Sequence, residues 1–145
     1  MKTIVLCSSV AFYRHVNELA TELESRGFTV LVPETAKRLE QSGDYDVDKV
    51  KTWYTNTEDF AIKARLMRGH FDKVAAGDDV LVVNDRKHDI DGYIGPNVLM
   101  EMGLAFYLGK PIYVLNPVSK DLPVYEEIVG MGSIILESDL TKIKL

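Results

Sequence analysis

One short run constrains this chain more than any other. Asp79-Val80-Leu81-Val82-Val83-Asn84 is apolar through its centre, with no alternation of polar and apolar positions. A strand of that kind has no face to give to water, so it must be covered on both sides, as in a parallel sheet packed between helices. The rest of the chain supplies partners for it. Thr3–Cys7, Phe28–Val32, Ile112–Leu115 and Ser133–Leu136 are further short β-rich runs. Tight strand–helix–strand connections between them are the mark of a parallel α/β arrangement.

The intervening stretches carry helical spacing. Val16, Leu19, Ala20 and Leu23 share one face of a helix predicted from about Ala11 to Ser25 and closed by Gly27. Residues 34–45 are polar, contain Gly43 and predict a loop. A mostly helical region follows Asp46 as far as Ala76. It is expected to break near residue 55, where Thr55-Asn56-Thr57-Glu58 fits a capping box, and again at Gly69. Gly95-Pro96 opens a helix that runs to Leu108, with proline where its missing N–H costs nothing, and Gly109-Lys110-Pro111 stops it. A short helix is expected near Tyr125–Val129. The pattern predicts an α/β fold: a doubly wound five-stranded parallel sheet of order 2-1-3-4-5, helices on both faces, in one domain spanning residues 1–145.

Composition narrows the class. With 46% hydrophobic and 27% charged residues the chain reads as globular. A single cysteine, Cys7, excludes an internal disulfide, fits a reducing compartment and reads as a small core residue. No apolar run reaches the roughly 18 residues of a membrane span. The start, Met1-Lys2-Thr3-Ile4-Val5-Leu6, reads as a first strand and not a signal peptide. These features predict a cytoplasmic protein without a membrane partner. A net charge of −5 argues against a nucleic-acid polymer but leaves room for one small anion. His15, His70 and His88 show no metal-ligand spacing, so neither a metal nor an organic cofactor is expected.

In sheets of this kind ligands bind at the carboxyl ends of the strands, where the strand order reverses. That rule selects Ser8 and Ser9 after strand one, Asn84 and Asp85 after strand three, the start of the Pro96 helix and Asn116 after strand four. Glu101 stands out because it is the only charge between Val98 and Leu108. A helix apolar on nearly every side is buried, so its carboxylate must face a cleft or a partner. Asn97, four residues earlier, shares its face and can orient it. Tyr13 and Arg14 can reach the same cleft. Trp53, Tyr54 and Tyr93 are candidates to stack on a base, and Arg86, Lys87 and His88 form a small basic group beside it.

The string Gly95-Pro96-Asn97-Val98-Leu99-Met100-Glu101-Met102-Gly103-Leu104-Ala105, followed by Leu108-Gly109-Lys110-Pro111-Ile112, resembles the signature of the nucleoside 2-deoxyribosyltransferase-like superfamily. It also resembles TIR-like nucleotide-binding domains. Gly77-Asp78-Asp79-Val80-Leu81-Val82-Val83 is similar to the superfamily's third strand and its preceding acidic residue. The resemblance implies cleavage or transfer at the N-glycosidic bond of a nucleoside or nucleotide, with Glu101 as nucleophile and Asn97 as its positioner. Departures accompany it. The family's aspartate-x-glycine-threonine pattern is missing, so the general acid is open between Asp85 and Asp91, with Asp72 a further match. Cys7-Ser8-Ser9-Val10 replaces a glycine-rich phosphate loop, leaving Ser8, Ser9 and backbone N–H groups to bind. Tyr13, Asn84, Tyr93, Gly95, Asn97 and Asn116 complete the expected substrate contacts. The alternatives are a TIR-like NAD glycohydrolase and a non-catalytic nucleotide-binding or sensor module. The Pro96 helix is apolar on more faces than one sheet can cover, which predicts a homodimer or higher homo-oligomer. The cleft is expected to be shallow and completed by loops 34–56 and 85–95 or by a second subunit.

Overall fold

The computed structural model describes residues 1–145. Five strands, β1 (Thr3–Ser8), β2 (Thr29–Leu31), β3 (Asp79–Val83), β4 (Ile112–Val114) and β5 (Ile134–Ile135), form one sheet. Its order is β2-β1-β3-β4-β5, and every pairing is parallel. The longest register joins β1 to β3, from Ile4 opposite Asp79 to Ser8 opposite Val83. β3 is buried at every position, as its unbroken apolar run requires.

Alternate side chains of each strand enter separate cores. Ile4, Leu6, Leu81, Val83, Tyr113 and Leu115 meet α1 (Tyr13–Ser25) and α2 (Glu34–Ser42) on one face. Val5, Cys7, Val80, Val82, Ile112 and Val114 meet α4 (Phe60–Ala76), α5 (Pro96–Tyr107) and α6 (Tyr125–Gly130) on the other. Helices therefore lie on both faces, and the hydrophobic effect acts through two layers. No helix is long and apolar enough to cross a membrane.

Three expectations about elements are corrected. Residues 34–45 are mostly helix: α2 starts after Pro33 and ends at Gly43, whose φ of +73° closes it in the left-handed region. Thr35, Ala36 and Leu39 are its buried stripe, so a narrow apolar face sufficed. The region from Asp46 to Ala76 breaks at Thr55–Asn56 as expected, but the part before the break is not one long helix. It begins with a single turn, α3 (Val47–Val50), capped by the Asp46 side chain. Two 3₁₀ turns follow, Thr52–Tyr54 and Thr57–Asp59, the second capped by Asn56. Gly69 breaks nothing, because α4 runs straight through it to Ala76 with open space beside the glycine.

Residues 85–95 are more ordered than a loop. Lys87 and Ile90 bridge antiparallel around His88 and Asp89, both at positive φ (52° and 58°), which makes a two-residue hairpin turn. Gly92 (φ +67°) then packs so closely on the Pro117 carbonyl that no Cβ fits. This pins the segment to the sheet and sends Tyr93 and Gly95 toward the start of α5.

Candidate active site

Glu101 lies in the second turn of α5 and is 3% exposed. Asn97, one turn earlier, donates from Nδ2 to Glu101 Oε1 across 3.1 Å. Lys63 of α4 in turn donates to Asn97 Oδ1 at 3.4 Å, so an ammonium, an amide and a carboxylate form a chain. Glu101 Oε2 has no hydrogen-bond partner. It sits 4.0 Å from His70 Nε2, and the same nitrogen lies 3.4 Å from Cys7 Sγ. Three elements set this geometry: β1 brings Cys7, α4 brings His70 and Lys63, and α5 brings Asn97 and Glu101.

Burial governs the protonation here. It pushes the Glu101 carboxyl up to about 7, against opposing effects from Cys7 and Lys63. Burial, then the Lys73 charge, lowers His70 to about 4, so this histidine is neutral at physiological pH. Burial and the Glu101 charge both raise the Cys7 thiol and the Tyr13 phenol, which keep their protons. A carboxyl titrating near neutrality, with one oxygen held and one free, is suited to nucleophilic or acid–base work.

Two adjoining cavities reach this group. The inner one, about 50 Å³, is lined by Tyr13, Trp53, His70, Asn97 and Glu101 among others. The outer cleft, about 300 Å³, shares Val10, Tyr13, Lys63, Met67 and Asn97 with it and opens toward Ser8, Ser9, Tyr54, Tyr93 and Gly95. Three lysines, Lys51, Lys63 and Lys87, line this cleft. Burial lowers both Lys63 and Lys87, and the Lys51 charge lowers each further. Lys87 Nζ donates to Ser9 Oγ at 2.8 Å and lies over the Tyr93 ring.

Of the residues selected from sequence, Glu101, Ser8, Ser9, Tyr13, Tyr93, Gly95 and Asn97 line these cavities. Asp85, Asp91, Asn84 and Asn116 do not. Asp85 Oδ2 is 2.7 Å from His15 Nδ1, and its other oxygen accepts from Asn116. Asp91 is exposed and pairs with Arg86 at 2.8 Å. Asn84 is fully buried and stitches strand ends together: its amide binds the Asn116 N–H (2.8 Å) and carbonyl (2.9 Å). Asn116 Nδ2 returns a bond to the Asn84 carbonyl. The cleft is walled by residues 50–54 and 85–95, with Glu34 and Thr35 of α2 at the inner end.

Sequence spacing did not single out Lys51, Lys63, or the grouping of His70 with Cys7. One signal for His70 was available: it precedes Val74 by four residues, which places both on the buried stripe of α4. The packing of α4 on α5 that brings it to Glu101 has no local signature.

No protein-family model matches the sequence, and no curated protein does. Solved structures share the fold. One is a 2-deoxyribosyltransferase from Bacillus psychrosaccharolyticus, with TM-score 0.54 and 18% identity over 84% of this chain and 77% of that one. Another is a Clostridium botulinum CMP N-glycosidase, with TM-score 0.51 and 17% identity over 94% of this chain and 90% of that one. The likeness establishes the fold that the resemblance to the nucleoside 2-deoxyribosyltransferase-like superfamily implied.

Proposed function

We propose that this chain is an enzyme that cleaves or transfers at the N-glycosidic bond of a nucleotide, with Glu101 as nucleophile. The observation that carries the reading is the buried Glu101 carboxylate with Oε1 held by Asn97 and Oε2 unpartnered at a cavity. Its agreement with the superfamily motif, and the fold shared with a deoxyribosyltransferase and an N-glycosidase, support it.

In this mechanism Oε2 bonds to the anomeric carbon while the bond to the base nitrogen breaks, and that nitrogen keeps the electron pair. A proton must reach the departing base. Asp85 and Asp91 were the acids selected from sequence, but the titratable groups that line both the cleft and the inner cavity beside Glu101 are Tyr13 and Lys63. Lys63, whose ammonium is disfavoured by burial and by Lys51, is assigned the acid role. Water, or a second base, then displaces Glu101 and releases the sugar phosphate or a new nucleotide. No cofactor takes part in these steps.

The cleft favours a nucleotide over a nucleoside. The Lys51 charge lowers both Lys63 and Lys87, a repulsion that one anionic group among them relieves, and Ser8 and Ser9 supply hydroxyls at the same rim. Tyr54 and Tyr93 offer faces on which a base stacks. The same reading makes the chain a homo-oligomer, since Met100, Phe106 and Tyr107 leave α5 exposed at 48%, 55% and 85%. Light scattering at micromolar concentration checks this, and a monomer mass refutes it.

The deciding experiment incubates the protein with nucleosides, their 5′-monophosphates and NAD, and follows free base by chromatography. Base release from a monophosphate, faster than from its nucleoside, is the expected result. Nicotinamide release alone would establish the NAD glycohydrolase instead. Tight binding of a nucleotide with no turnover would establish a binding module.

A further inference from the structure

Cys7, His70 and Glu101 form a cluster that the glycosidase reading leaves partly unused. Cys7 Sγ, His70 Nε2 and Glu101 Oε2 are donor atoms of three kinds that lie within 4.8 Å of one another, and all three residues are buried. Oε2 has no partner on a residue 3% exposed. A buried, unpaired carboxylate oxygen is costly, and such a group calls for an explanation. We propose that Cys7, His70 and Glu101 are a three-residue binding site for a zinc-like divalent cation.

Geometry supports it. A tetrahedral zinc with bonds of about 2.3 Å to sulfur and about 2.0–2.1 Å to nitrogen or oxygen sets its sulfur and nitrogen about 3.5 Å apart, and nitrogen and oxygen about 3.3 Å apart. The first separation here is 3.4 Å. The second is 4.0 Å, so metal binding would draw Glu101 Oε2 closer to His70 Nε2. The ligands sit on β1, α4 and α5, elements packed into one core, so the site is held by the scaffold and not by a loop. The inner cavity of about 50 Å³ is lined by His70 and Glu101 and adjoins the outer cleft. It supplies a route inward and room for a water as fourth ligand. Mixed thiolate, imidazole and carboxylate donors suit zinc and its transition-metal neighbours, whereas magnesium and calcium take oxygen.

Charge balances as well. On binding, Cys7 gives its thiol proton to solvent, and Glu101 gives up its proton where it holds one. Two negative ligands then meet a doubly positive ion, so the buried assembly is neutral. The bound Oε2 is no longer free to attack an anomeric carbon. Metal occupancy and turnover are therefore mutually exclusive, a consequence that rests on the glycosidase reading; the binding itself does not.

The test uses the whole, reduced protein freed of metal by a chelator. Cobalt(II) is titrated in as a spectroscopic probe, and zinc affinity is measured by competition with a coloured chelator. One equivalent per chain, tetrahedral cobalt bands and a thiolate-to-cobalt charge-transfer band are expected. Cys7→Ser abolishes that band, and Cys7→Ser and Glu101→Gln each weaken zinc binding by at least about tenfold. His88→Gln, which alters an exposed histidine, leaves binding unchanged. Less than one equivalent, no charge-transfer band, or zinc affinity retained in Cys7→Ser overturns the proposal. If zinc binds as described and base release continues at full metal occupancy, the nucleophile role of Glu101 fails while the metal site stands.

Discussion

Two clusters of buried polar groups lie near the same rim of the sheet and are built in opposite ways. At the ends of β3 and β4, Asn84 and Asn116 exchange hydrogen bonds through side chain and backbone, and Ser138 satisfies the remaining Asn116 oxygen. Beside β1, Glu101 and His70 each keep a buried polar atom without a partner. A satisfied network fixes a structure, and an unsatisfied one stores cost that only a ligand can relieve. Residue type alone does not separate them: asparagines at strand ends look like ligand contacts in a sequence, yet here they are joinery.

That contrast is broken most directly at Glu101. Glu101→Gln keeps shape and removes the nucleophile, so base release falls by roughly 10³-fold or more. Turnover within tenfold of the parent protein would place Glu101 with the scaffold. Asn84→Ala does the opposite. It strands the Asn116 N–H and two carbonyls in the interior and lowers stability by about 3 kcal/mol, read as a shifted denaturation midpoint. An unchanged midpoint would show that the Asn84 bonds do not hold the strand ends together.

The two unsatisfied groups also give stability a characteristic pH dependence. Glu101 keeps its proton in the fold up to about 7 but loses it near 4.5 when unfolded, so its contribution is full below that range and lost as pH rises through 7. His70 titrates near 4 in the fold and 6.5 outside it, so its contribution is full above 6.5 and lost as pH falls toward 4. Between about 4.5 and 6.5 the slopes oppose each other. Above them only the Glu101 loss continues: of the roughly 3 kcal/mol that the whole shift represents, about 1 kcal/mol falls between pH 6.5 and 8. Glu101→Gln should flatten the fall in Tm between pH 6.5 and 8, and a parallel fall in both proteins would contradict it.

Smaller effects sharpen the picture. Asn97→Ala frees Oε1 and removes the link to Lys63, so kcat drops about 10- to 100-fold with the fold intact by circular dichroism. Lys51→Ala raises KM for a monophosphate only a few-fold, about 0.5–1 kcal/mol, and the difference shrinks in high salt. A salt-independent loss would deny that Lys51 acts through charge.

Legibility followed the length scale of each interaction. The sheet was readable because β3 carries its double-sided burial in adjacent residues, and α5 because Pro96 and Gly109 mark its ends. α2 escaped because its buried stripe is only Thr35, Ala36 and Leu39, although Pro33 and Gly43 bracket it as start and stop. Within the site, the Asn97–Glu101 bond spans one helical turn and could be foreseen. The approach of Cys7 and His70 joins positions 63 residues apart in sequence, and only the packing of β1, α4 and α5 creates it. Strand-end position selected both Asp85 and Asn116, which bond to each other outside the cleft, but not His15, which lies 2.7 Å from Asp85.

Trp53, the only tryptophan in the chain, is 4% exposed, lines the inner cavity and has Lys63 Nζ 5.5 Å from its ring centre. An indole in that position is a built-in optical reporter. Its emission responds to whatever enters beside it and to any movement of the Lys63 charge, so occupancy can be followed without a label. Excited at wavelengths the seven tyrosines do not absorb, the single indole reports from the wall of the cavity that holds Glu101.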